Sequence, residues 1–259
     1  MTALRRVPVL NAWVHDVAMD DLVNNLDHGA IMTLHVDMLV KLQRDREFRD
    51  ALSDFDLITC DSQILYFALR LMGTPVQERV SGSDFFPRFY TRHRTNPAVR
   101  IFLCGGEDQV VRLAQQNINS RVGRDIVVGV SSPPHGFERD PNKVGKLVDE
   151  INRSGATVLV VCLGGGRQEK FIRRFRNQLP RVRLFLPLGG TVDYEAGTLP
   201  RPAPWVTNAG LEWAYRVLRQ PRQRWHRYLV QQPPILWHLL RQRLGLYRDP
   251  FAAATEPQG

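Results

Sequence analysis

The chain has 259 residues, 43% of them hydrophobic, and a formal charge of +9, so it can bury a substantial core in one α/β domain with a small addition. Its start, MTALRRVPVLNAWVHD, lacks the unbroken apolar run and cleavage site of a secretory signal, and no stretch approaches the roughly 20 apolar residues that span a bilayer. These features exclude a membrane-spanning chain and lead to the expectation of a cytosolic protein.

The predicted elements alternate in chain order. A strand over Ala30 to Val36 precedes a helix over Asp37 to Leu52, and a strand over Asp56 to Cys60 precedes a helix over Ser62 to Leu71 that Gly73 and Pro75 terminate. A helix over Ser83 to Arg94 leads to a strand over Val99 to Cys104, a helix over Asp108 to Arg121 and a strand over Asp125 to Ser131. A helix over Asn142 to Asn152, a strand over Thr157 to Leu163, a helix over Gln168 to Gln178 and a strand over Val182 to Leu188 complete the series. Several strands lack polar alternation, as strands covered on both faces do. The fold class is therefore α/β: a Rossmann-like, mostly parallel sheet with helices on both faces, plus a short helical, basic C-terminal appendage. The domain reading is 1–200 catalytic, 201–248 an Arg/Trp-rich membrane-associating appendage, and 249–259 a disordered tail. Cys60, Cys104 and Cys162 each close an apolar run, which reads as buried and structural rather than as a disulfide framework.

In such a fold, ligands bind beyond the carboxyl ends of the strands, so function is sought there. Thr33 and His35 end the first strand, and Cys60-Asp61-Ser62 follows the second. Arg79, Ser81, Gly82 and Asp84 form a polar loop, Gly164-Gly165-Gly166-Arg167-Gln168-Glu169 follows the fifth strand, and Gly189-Gly190-Thr191 follows the sixth. A carboxylate at a strand exit suits acid-base work, which makes Asp61 the leading candidate, with an N-cap for the next helix as its alternative. Thr33 could position a substrate or simply favour the strand. Arg79 could grip a diphosphate bidentately or pair with Glu78 or Asp84. Glycines such as Gly164 and Gly165 permit close approach of backbone to a diphosphate, and equally a tight turn. FLCGGED begins a dinucleotide fingerprint without completing it and reads as a turn with a helix cap. The acidic pair Asp54 and Asp56 lies before its strand, at the opposite edge, and is rejected as a metal site. No metal site is expected elsewhere.

Four stretches together resemble the WecG/TagA/CpsF family, glycosyltransferase family 26: TLHVDMLVKLQRDREFRDALSDFDLITCDS, GTPVQERVSGSDFF, LGGGRQEKFI, and LGGTVDYEAGTLPRPAPWVTNAGLEWAYRVLRQPRQRWHRY. The resemblance implies transfer from a UDP-sugar to a polyprenyl-diphosphate-linked glycan, with inversion, no required metal and no cofactor. It implies that Asp61 is the base and that Thr33 positions substrates beside it. Arg79 and Gln168 would contact donor or acceptor, and Gly189 and Gly190 would line the nucleotide pocket. His35, Gly164, Gly165, Asp193 and Arg201 are placed with them as substrate-binding. His35 stands where the family usually has Asn, Ser62 where Gly is common, and Gly166 replaces a proline, while Arg201-Pro202-Ala203-Pro204 replaces a shorter Arg-Ala-Pro. The donor sugar, among N-acetylmannosamine, its uronic acid and glucose, stays open, as does the oligomeric state, a homo-oligomer included. Surface polysaccharide or exopolysaccharide synthesis is the expected setting.

Between Trp213 and Tyr247 there are seven arginines and no acidic residue, interleaved with tryptophans. Tryptophan with arginine suits an anionic bilayer interface, and each basic residue there contributes on the order of 1 kcal/mol. Arg216, Arg222, Arg224 and Arg227 are accordingly read as membrane or diphosphate contacts, which places the protein on the inner face of the cell membrane. Trp213 is read as core packing. Two other classes compete: a nucleic-acid binder, for which no reader motif is present, and a nucleotide-cofactor oxidoreductase, which lacks the completed glycine fingerprint.

Overall fold

The computed structural model describes residues 4–219, 225 and 232–252. Two short strands, β1 (Arg6–Val9) and β2 (Ala12–His15), make an antiparallel hairpin, and α1 (Met19–Asn25) leads from it to the main sheet. That sheet has six strands: β3 (Gly29–Leu34), β4 (Leu57–Cys60), β5 (Ile101–Gly105), β6 (Val127–Ser131), β7 (Val158–Cys162) and β8 (Leu184–Pro187). Their spatial order is β4-β3-β8-β7-β5-β6, and every neighbouring pair is parallel. This is the Rossmann-like α/β sheet expected from the sequence. β4, β5, β7 and β8 are buried at every position, which is why their sequences are runs of apolar residues rather than alternations.

The helices are α2 (Val36–Leu42), α3 (Arg46–Ala51), α4 (Gln63–Leu71), α5 (Gly82–Arg92), α6 (Asp108–Val122), α7 (Pro141–Ser154), α8 (Arg167–Phe175), α9 (Thr191–Ala196), α10 (Pro204–Asn208), α11 (Glu212–Arg219) and α12 (Pro233–Arg243). On one face of the sheet Leu39, Leu65, Val148 and Phe171 from α2, α4, α7 and α8 share a core with Val7 and Val14 of the hairpin. On the other, Leu22, Phe86, Ala114 and Val192 come from α1, α5, α6 and α9. Adjacent strands β3 and β8 therefore send the chain to opposite faces, through α2 and α9. Their divergence opens a crevice above their carboxyl ends, which is where this class of sheet binds ligands.

The structure departs from the sequence reading in two places. The single helix expected over Asp37 to Leu52 is two, because the Asp45 carboxylate accepts the Phe48 N–H at 3.0 Å and so caps a new helix. The hairpin was not anticipated: its strands have four residues each, and one of them contains Pro8. It protects the outer edge of β4, where the His15 imidazole Nδ1 accepts the Ile58 N–H at 2.9 Å. Burial lowers the His15 pKa, which favours the neutral ring that this bond requires. The helix expected near the C-terminus is present, and it packs on the main body. Ile235 and Leu239 of α12 are buried, and the Gln242 carboxamide accepts the Leu10 N–H at 2.7 Å and donates to the Pro8 carbonyl at 3.2 Å. Beyond it, Asp249 accepts from Asn11 and pairs with Arg49 at 3.2 Å.

Candidate active site

A cavity of about 640 Å³ occupies the crevice. Its floor is the ends of β3 and β8, and the N-terminal turns of α4, α5, α8 and α9 open onto it through Ser62, Ser81 to Ser83, Gly165 with Arg167 and Gln168, and Gly190 with Thr191 and Asp193. Helix N-termini carry partial positive charge, so several directed at one cavity favour an anionic ligand. Gln63, Ile64, Tyr194, Leu199, Gly210 and Gln232 complete the wall.

Thr33 is buried on β3 with Thr59 of β4 beside it in register. Asp61 follows β4 directly, its N–H donating to the Leu34 carbonyl at 2.9 Å, so the first two strand ends stand side by side. The helix cap read as the alternative role for Asp61 belongs to Ser62, whose hydroxyl accepts the Leu65 N–H at 3.1 Å. Residues 79–81 run alongside: Val80 N–H donates to the Cys60 carbonyl at 2.9 Å, and the Thr59 hydroxyl donates to the Val80 carbonyl at 3.0 Å. This brings Gly82 against Thr33. A Cβ at Gly82 would lie 3.2 Å from Thr33 Oγ1 and 2.8 Å from Leu188 Cδ2.

The glycine loops come from β7 and β8. Gly164 and Gly166 have φ of 84° and 89°, conformations that glycine adopts without strain. Glu169, fully buried at the third position of α8, accepts the Gly166 N–H at 2.5 Å. Gln168, also buried, donates to Glu169 Oε1 at 2.8 Å and accepts the Gly189 N–H at 3.1 Å. From α2, Lys41 reaches the Gly165 carbonyl at 2.5 Å. Burial pushes the Glu169 carboxyl up to about 7, against the opposing pull of its hydrogen bonds from Gln168, its own amide and Gly166, and of the Lys41 charge.

Of the residues singled out in the sequence, Thr33, His35, Asp61, Gly164, Gly165, Gln168, Gly189, Gly190 and Asp193 all line the cavity. Arg79 and Arg201 do not. Arg79 donates to the Asp61 carbonyl at 3.1 Å and pairs with Asp84 at 2.9 Å, so one of the ion pairs weighed against diphosphate binding is the one formed. Arg201 pairs with the other Asp84 oxygen at 3.2 Å and with Glu195 at 3.3 Å. Glu195 in turn takes Arg121 at 2.7 Å and the Tyr90 hydroxyl at 2.7 Å. The two arginines thus brace the loop behind Asp61. Arg222, Arg224 and Arg227 lie outside the described residues, as do the side chains of Arg216 and Trp213.

Sequence reasoning passed over Asp37, Lys41, Tyr194 and Gln232. Asp37 lies 3.7 Å from His35 Nδ1 and accepts from the Gln232 carboxamide at 2.5 Å. The signal for Asp37 and Lys41 was their spacing of four on one face of α2, which an amphipathic helix also presents to solvent. The pair Asp54 and Asp56 sits at the amino end of β4, where Asp56 accepts the Ala30 N–H and Asp54 pairs with Arg173. Among the described residues no group of three His, Cys, Asp or Glu side chains is placed to hold a metal ion. All three cysteines are free and buried, and burial raises the thiols of Cys60 and Cys162 to about 12. Among the described residues no helix is long and apolar enough to cross a membrane.

Comparison with known proteins identifies the family. Residues 7–249 match the description of the glycosyl transferase WecG/TagA/CpsF family. The chain is also 30% identical over 201 residues to the N-acetylglucosaminyldiphosphoundecaprenol N-acetyl-beta-D-mannosaminyltransferase of Bacillus subtilis (strain 168), covering 78% of this chain and 75% of that protein. A match across nearly the whole chain, on a sheet whose ligand-binding edge gathers the resembling segments, leads to one conclusion: this chain belongs to the WecG/TagA/CpsF family and is a glycosyltransferase.

Proposed function

We propose that the chain transfers a sugar from a UDP-sugar to a polyprenyl-diphosphate-linked glycan, with Asp61 as general base, inversion at the anomeric carbon, and no metal. The observation that carries this reading is the meeting of Asp61 and Thr33 with both glycine loops on one cavity. In the reaction, the acceptor hydroxyl oxygen attacks the anomeric carbon as its proton passes to the Asp61 carboxylate. The bond to the nucleotide breaks, and UDP departs with the electron pair. Four helix N-termini and the Lys41 ammonium oppose the charge that develops on the leaving diphosphate. Single displacement needs one base, and a carboxylate beside Thr33 at the β4 exit supplies it. The donor is taken as N-acetylmannosamine, its uronic acid, glucose or a related sugar, the first by likeness to the Bacillus relative. Product formation from a panel of these UDP-sugars on a short-chain polyprenyl-diphosphate-linked N-acetylglucosamine, read by mass spectrometry, tests the proposal. No product from any donor, together with no binding of UDP, overturns it.

The acceptor's lipid also asks for a membrane surface, and α12 supports one at the inner face of the cell membrane. While Ile235 and Leu239 face the core, Leu236, Trp237 and Leu240 are exposed on the other side, Trp237 by 61%. Arg241 and Arg243 flank them on a helix without acidic residues. Such a face suits an anionic interface. Replacing Trp237 and Leu240 together with Ala is expected to weaken binding to vesicles containing phosphatidylglycerol by about tenfold or more. Sedimentation with the vesicles measures this. Unchanged sedimentation, or equal affinity for an oligonucleotide, would count against the membrane reading.

A further inference from the structure

Glu169 is an unusual residue to find fully buried, because among the described residues its carboxyl is met by hydrogen bonds from Gly166 and Gln168 rather than by an ion pair. A desolvated carboxylate with no cation in direct contact is expensive; hydrogen bonds hold this one, with help from the Lys41 charge. Their direction matters. When ionised this carboxyl only accepts, and in that form the side chain of Gln168 turns its Nε2 toward Glu169 Oε1, at 2.8 Å. Gln168 Oε1 is thereby aimed at the Gly189 N–H, 3.1 Å away, while the other Glu169 oxygen takes the Gly166 N–H at 2.5 Å. An unbroken chain of hydrogen bonds then joins the loop after β7 to the loop after β8. Both loops line the cavity, and both contain left-handed glycines, Gly164, Gly166 and Gly189, that nothing in their own side chains can hold.

We propose that Glu169 is a positioning residue: by dictating which way the Gln168 carboxamide points, it ties the two glycine loops into a single wall of the transfer site. The proposal rests on the reading of this cavity as that site. It also makes Gln168 a strut between loops, with its Oε1 and one of its Nε2 hydrogens already committed before any substrate binds.

Three variants test it. In Glu169→Gln the new amide must set a donor against either Gly166 N–H or Gln168 Nε2. In Gln168→Glu two acceptors face each other. Each is expected to lower kcat/KM by about thirtyfold or more, since small misplacements of an active-site wall have effects of that order. The exchange Gln168→Glu with Glu169→Gln restores a matched donor and acceptor at every link and is expected to recover most of the loss. A residue that merely supports folding would lose stability with activity. Here, at a pH well above 7, Glu169→Gln removes a desolvated charge, which offsets the mismatched donor, and is expected to leave thermal stability unchanged or higher. Hydrogen exchange over 164–166 and 189–190, which needs no turnover, should quicken in both loops of Glu169→Gln and slow again in the exchange variant. The inference is overturned if Glu169→Gln keeps activity within about threefold of wild type and exchange unchanged, or if the exchange variant is no better than Glu169→Gln on both measures. A wild type that transfers no sugar, yet shows the exchange pattern, condemns the reading of the reaction and leaves the strut standing.

Discussion

Asp61→Asn is expected to lower kcat by about a thousandfold while UDP affinity stays within about twofold, because general-base catalysis contributes on the order of 10²–10⁴. The substitution keeps the shape of the side chain and removes its basicity. Much of its local support does not involve the carboxylate: the backbone N–H bonds to Leu34, the carbonyl is held by Arg79, and Ser62 caps α4. Folding should therefore survive, and isothermal titration with UDP beside single-turnover rates separates chemistry from binding. If rate and UDP affinity fall together, Asp61 is a binding or structural residue. If neither falls, another cavity carboxylate, Asp37 or Asp193, is the base.

Gly105→Ala is expected to cost about 3 kcal/mol or more of stability, the sum of backbone strain and a contact that cannot relax. Gly105 ends β5 with φ of 107°, paired with Cys162 of β7. An added Cβ would lie 2.5 Å from the Cys162 carbonyl oxygen and 2.7 Å from its carbon. Those atoms are backbone at the paired ends of two interior strands, so no rotamer change makes room. Gly73→Ala provides the comparison. Its φ of 78° is also left-handed, but nothing lies within 4 Å of the new methyl, so only the conformational cost of about 1 kcal/mol remains. Urea denaturation of the two variants measures the difference. Equal losses would mean that the strand ends adapt and that the close approach is not binding on the fold.

The glycines of FLCGGED illustrate how far sequence reading reaches. They read as a turn with a helix cap, whereas Gly105 is the last residue of β5 and only Gly106 bends toward α6; the need for Gly105 comes from Cys162, distant in the chain and adjacent only once β5 and β7 pair. Glu169 is a similar case. A Gln-Glu pair opening a basic helix looks like an exposed first turn, and its burial depends on the loops from β7 and β8 closing over it. Arg79 had its diphosphate and ion-pair roles evenly weighed because Arg201 and Glu195, which complete the network with Asp84, lie more than a hundred residues away.

By itself the sequence determined the six main strands, most of the helices that cover them, and the polar groups at the strand exits, because apolar period and turn chemistry are local properties. Only the tertiary structure decided that β8, last of the strands in the chain, slots between β3 and β7 and so draws Asp61, Gln168 and the glycine loops around one cavity. Strand order follows from how the helices pack on two faces at once, an energy shared among residues far apart that no single segment records.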